Sequence, residues 1–121
     1  MAAPAFADPA SAPGVFRIAR LANATPDAHG RIGIRAVCEQ ESGCNVGFAI
    51  KRAGTNVVLG RVYVLLLGRT TETDYVILSR STRARLAQKR TMKVVVTADV
   101  KDAAGNTRTV AKSATLKAPR R

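Results

Sequence analysis

Between residues 31 and 50 the chain alternates apolar and polar or small side chains twice, and a cysteine stands at the inner end of each run. Ile32, Ile34, Ala36 and Cys38 share one phase of the first run; Cys44, Val46, Phe48 and Ile50 share one phase of the second. A period of two belongs to a strand with one buried face, so both thiols are placed on the buried side. The link Glu39-Gln40-Glu41-Ser42-Gly43 is polar and ends in glycine. It reads as a hairpin loop, which predicts that the two strands pair with one another and bring the thiols together across the ladder. A disulfide between Cys38 and Cys44 is then expected, and with it a protein made outside a reducing compartment. A zinc site would need more donors than this pair, since His29 is the single histidine. Two inert buried thiols are the remaining reading. A loop this short stabilises a fold by only about 2 kcal/mol when closed.

The rest of the chain continues in short strands. Residues 15–21 form the first candidate, and 23–30, with Pro26, Asp27 and Gly30, form a turn. Residues 57–67 hold one or two strands, broken or bulged at Gly60, and their apolar run 62–67 suits a buried strand. Residues 73–78 make another. Met92, Val94, Val96, Ala98 and Val100 alternate cleanly, a loop carrying Gly105 and Asn106 follows, and Thr107–Lys117 returns. One segment breaks the pattern: 79–89, with Ser81 as the expected N-cap and Leu86 as a core anchor, reads as a short helix crossing between strands. Seven or eight short strands with turns between them predict an all-β, immunoglobulin-like antiparallel β-sandwich with one short helical crossover. The expected core contains Ile32, Ile34, Val46, Phe48, Val76, Leu78, Leu86, Val94 and Val96. At 121 residues the chain holds one domain. It divides into an Ala/Pro-rich N-terminal arm or linker at 1–13, the sandwich at 14–118 and a basic tail at 119–121. Within the arm, Ala5-Phe6-Ala7 before Asp8-Pro9 looks like the end of a secretory signal peptide. No apolar run approaches the ~20 residues of a membrane helix, so no membrane insertion is expected.

Enzyme chemistry finds little to work with. His29 sits in a turn of Pro, Asp and Gly, a poor place for a triad histidine. Gly60 and Gly68 are too isolated for a phosphate loop. Glu39 and Glu41 flank a turn, and Glu72 and Asp74 share a strand face. Asp99, Asp102 and Asn106 surround a hairpin and invite a calcium reading, but Asp and Asn there are the ordinary residues of the turn itself. No catalytic residue, metal or cofactor is assigned. The net charge of +12 serves solubility or an acidic partner. Its one local concentration is Arg80, Arg83, Arg85, Lys89, Arg90 and Lys93, with no acid between Asp74 and Asp99. These six are the candidate polyanion-binding residues. They lack interleaved aromatics for stacking on bases, and sequence-specific nucleic-acid binding is not expected.

Taken together, the runs 32–38 and 44–50, Leu59-Gly60, the strand 76–78 leading into the Arg-rich 79–89, Val94-Val95-Val96-Thr97-Ala98-Asp99 and Asp102-Ala103-Ala104-Gly105-Asn106 resemble immunoglobulin-like or fibronectin-III-like modules. The type is that of secreted actinobacterial proteins. The resemblance covers about 15–117 and implies a non-catalytic structural or binding module at an extracellular, cell-surface or particle surface, spacing, decorating or adhering to another protein. The contact is expected from the arm, at Ala2, Pro4, Phe6, Pro9 and Pro13, or from a sheet edge. An alternative is a phage virion decoration or structural protein of the same fold, with the arm clamped onto a neighbour. A further alternative is a non-specific polyanion or nucleic-acid binder.

Overall fold

The computed structural model describes residues 9–102 and 104–120. Cys38 and Cys44 are joined by a disulfide, their Cα atoms 5.9 Å apart. The strands that carry them do not pair, which corrects the hairpin reading. Strand β3 (Arg31–Cys38) lies between β2 (Phe16–Leu21) and β6 (Thr70–Ile77) in one sheet, whose outer strand is β1 (Ser11–Ala12). Strand β4 (Cys44–Arg52) lies between β5 (Val58–Leu66) and β7 (Thr91–Lys101) in the other, which ends on β8 (Thr107–Lys117). The link 39–43 is therefore an arch from sheet to sheet. Alternation tells which phase is buried; it does not tell whether two buried faces look the same way or look at each other. In facing sheets they look at each other, and the disulfide closes the gap between the layers.

The arch is held by its own residues. Gln40 is buried, and its amide nitrogen donates to the Gly43 carbonyl at 2.9 Å and reaches the Lys101 carbonyl at 3.4 Å. The Glu39 N–H donates to the Val15 carbonyl at 2.8 Å. At Gly68 a side chain would strike the Gln40 and Glu41 carbonyls, so the turn between β5 and β6 packs directly against the arch.

The core is the meeting of the two inner faces. All nine residues expected there are buried, joined by Phe16, Ile18, Ile50, Leu66, Val100, Val110 and Leu116. Phe16 and Phe48 touch across the layers with ring centroids 5.9 Å apart. The chain passes from the first sheet to the second again through α1 (Arg80–Lys89), the expected helical crossover. Its N-cap is Ser79, not Ser81: the Ser79 hydroxyl accepts from the Thr82 N–H, while the Ser81 hydroxyl only meets that of Ser79. Thr82 and Leu86 are its buried residues.

Two further differences bear on function. Residues 62–67 were expected inside, but β5 is an edge strand: Val62, Val64 and Leu66 face in, while Tyr63, Leu65 and Leu67 are 76%, 69% and 68% exposed. The bulge expected near Gly60 is present, since Ile50 pairs with Gly60 and Lys51 with Val58, leaving Leu59 extra. Of the segment read as an arm, residues 9–13 are placed against the sandwich. Ser11 and Ala12 pair with β2, Ala10 and Ala12 are buried, and the Pro9 carbonyl accepts from the Ala111 N–H at 2.8 Å.

Candidate functional site

The six basic residues singled out by sequence divide between α1, its C-cap and β7, and Arg85 and Lys89, four residues apart, are neighbours on one side of the helix. An α-helix turns by 100° per residue, so Arg83 and Arg85 flank the buried stripe of Thr82 and Leu86 on opposite sides. Arg83 is half-buried, its side chain lying where Gly30 leaves room. Arg90 ends the helix in the left-handed region (φ 71°), its N–H on the Leu86 carbonyl and its guanidinium on the Pro119 carbonyl at 3.1 Å. Arg80, Arg85 and Lys89 are exposed on the helix, and Lys93 is exposed on β7. None of the six forms an ion pair among the described residues. Of the expected contact residues, Ala2, Pro4 and Phe6 lie outside the described residues, while Pro9 and Pro13 are exposed on either side of β1.

The acids are mostly spent on local structure. Asp27 accepts from the Arg31 and His29 N–H groups and pairs with the Arg31 guanidinium at 2.7 Å. The Arg31 N–H above all, with the guanidinium and the His29 N–H, lowers its pKa to about 2. Asp102 accepts from the Ala104 and Asn106 N–H groups, and Asp99 accepts from the Thr109 hydroxyl at 2.7 Å. In the loop once open to a calcium reading, Asp102 thus builds the turn, while Asp99 bonds across the ladder from β7 to β8. Glu72 accepts from the Leu67 N–H. Asp74 differs: one carboxylate oxygen is buried with no hydrogen-bond partner, and burial first, then repulsion from Glu72, raises its pKa.

The surface that sequence reasoning missed lies on the outer face of the second sheet. Tyr63 and Leu65 project from β5, and the Tyr63 ring lies over Gly47 of β4, where a Cβ would meet it at 2.9 Å. Beyond them an open groove of about 430 Å³ runs past Asn45 and Gly47 to Asp99, Lys101 and Thr107. A strand apolar on both phases is the signature of burial on both faces, so only its place at the edge shows that one phase is free. No helix among the described residues is long and apolar enough to cross a membrane. No protein-family model matches the chain, and neither does a curated protein or a solved structure.

Proposed function

We propose that the chain is a non-catalytic binding module of immunoglobulin-like or fibronectin-III-like type, acting outside the reducing cytoplasm by contact with another protein or particle surface. The observation that carries this is the apolar strip along β5 and the residue that follows it. Tyr63, Leu65 and Leu67 leave large side chains in water at the edge of a sheet, and a contiguous exposed apolar patch marks an interaction site. The type is supported by the strand order, in which β3 pairs with β6 and β4 with β7, the Greek-key arrangement of immunoglobulin-like sandwiches. The compartment is supported by the disulfide.

The test is fractionation of the producing cells, with thiols alkylated before lysis. The protein is expected in the medium, at the cell surface or in particles, with Cys38 and Cys44 protected from alkylation. Reduced protein confined to the cytosol overturns the reading. Tyr63→Ser with Leu65→Ser should lower stability by only about 1–2 kcal/mol, the loss of two strand-favouring side chains and of the Tyr63–Gly47 contact, and leave the protein folded, yet release it from the surface or particle fraction. Unchanged attachment would remove β5 as the contact.

A further inference from the structure

The outer face of the first sheet carries a concentration of arginine that sequence spacing hides, because its members come from two strands. Arg17 and Arg20 project from β2, and Arg31 and Arg35 from β3. Arg20 and Arg35 stand directly opposite each other in the ladder. Like charges at such a position destabilise a sheet. Nothing offsets them: among the described residues no carboxylate pairs with Arg17, Arg20 or Arg35. The two acids of β6 cannot serve, since Glu72 and Asp74 pair with Ala36 and Ile34 and so take the inward phase. The outward phase of β6 offers Thr71, Thr73, Tyr75 and Ile77 instead. Tyr75 is 47% exposed, and the Arg31 guanidinium lies 5.2 Å from its ring centre.

We propose that this face binds the backbone of single-stranded nucleic acid, with Arg17, Arg20 and Arg35 on phosphates and the Arg31–Tyr75 stack beneath a base. The proposal stands apart from the β5 contact and does not depend on it. Its first support is charge complementarity: a like-charged pair held in register without a counter-ion among the described residues is a local rule broken, and such breaks concentrate at functional sites. Its second is residue type. All four cations are arginine, whose planar fork matches phosphate in two bonds and stacks on flat rings. A phenol ring beside a guanidinium on an open sheet is a stacking platform for bases. Arg31 and Arg35 lie four residues apart on one strand, about 13 Å, so the phosphate and stacking contacts belong to successive nucleotides. These contacts fall on phosphates and on the flat face of a base, not on base edges, so the binding is independent of base sequence.

The experiment is fluorescence anisotropy of a labelled thymidine 20-mer with the full chain, across a salt series. Arg20→Ser with Arg35→Ser is compared with Arg85→Ser with Lys89→Ser, which removes the same charge from α1. The sheet pair should lose at least about tenfold in affinity and lower the salt slope by about 1.4, two contacts at about 0.7 each for a single strand. The helix pair should change affinity less than about threefold, as screening at 0.15 M limits distant charge. Tyr75→Ser should weaken binding about tenfold and Tyr75→Phe should retain it. The sheet variant should melt no lower than the parent, so that lost binding is not lost folding. Equal losses from both pairs, or no binding of the parent, overturn the proposal. Tighter binding of heparin with no effect of Tyr75→Ser overturns it in favour of an acidic polysaccharide.

Discussion

Asp74 occupies the inward phase of an edge strand, opposite Ile34, with a buried oxygen that no donor reaches. Its carboxylate is kept there against burial and against Glu72, both of which raise its pKa from the ordinary aspartate value of 3.8. A raised folded pKa means that the fold prefers the neutral acid. The preference stabilises the fold fully below the unfolded value and is lost as pH rises through the folded one. At pH 7 the ionised group therefore opposes folding. Asp74→Asn is expected to raise the melting temperature at pH 7, with the gain shrinking as pH falls towards 3.8 and below. Glu72→Gln should act in the same direction but less, being the smaller cause. A melting temperature lowered by Asp74→Asn would mean that the carboxylate has a partner in solution. Asp27 has the opposite sign, because its pKa is lowered to about 2. Its stabilisation is present above 3.8 and disappears as pH falls towards 2, so the acid limb of a stability profile contains both groups, pulling in opposite directions.

At the scale of elements, the first strand is the smallest and the one most easily misjudged. β1 has two residues, flanked by prolines and set in a run of alanine. Neither periodicity nor propensity marks it, and 9–13 reads as linker. What fixes it is tertiary: Ala10 and Ala12 are small enough to lie under the gap between β2 and β8, and the carbonyls of Pro9 and Ala10 accept from the Ala111 and Ile18 N–H groups at 2.8 Å each. Truncation after residue 13 should cost roughly 2–3 kcal/mol more than truncation after residue 8, from two or three lost hydrogen bonds and the newly exposed apolar area. Urea unfolding of the two truncated chains measures the difference, and equal midpoints would show that 9–13 add nothing. The contrast with β7 and β8 shows where sequence is informative. Their loop carries Asp102 as a turn-forming acceptor and Gly105 at φ 87°, local chemistry that dictates a hairpin. The link 39–43 also ends in a left-handed glycine, Gly43 at φ 90°, but its direction depends on Gln40 and on Gly68 from distant parts of the chain. The apolar phase of β5 and the arginine face were illegible for the same reason. Each depends on which strands become neighbours, and alternation along one strand says nothing of that.

Over the whole molecule the layers are tied at one end by the arch and its disulfide, and at the other by α1, whose Leu86 is buried and whose Arg83 lies against Gly30. Between these ends the sheets meet mainly through apolar contact, with β8 joined to the first sheet's side by the Ala111 N–H on the Pro9 carbonyl and the Lys117 N–H on the Ala24 carbonyl, and the net charge of +12 works against compaction. The covalent tie acts on the unfolded chain. With a sequence separation of six residues, the closed loop removes little chain entropy, about 2 kcal/mol on the loop-closure account. A domain of this size is stable by about 5–15 kcal/mol, so the sandwich should remain folded after reduction. Reduced and alkylated-in-urea controls would confuse the two states, so the cleaner variant is Cys38→Ala with Cys44→Ala. It should unfold in one transition at a lower urea midpoint, with a loss of roughly 2–4 kcal/mol. The excess over loop closure comes from sulfur atoms removed from a packed interior, where cavities carry their own penalty. The denaturant slope should stay level or rise, since an untied chain exposes no less surface on unfolding. An unchanged midpoint would show that the arch is held by Gln40 and the Gly68 contact alone, with the disulfide redundant. Loss of all cooperative unfolding would show the reverse: that apolar contact cannot hold the two sheets together until the bond has set them face to face.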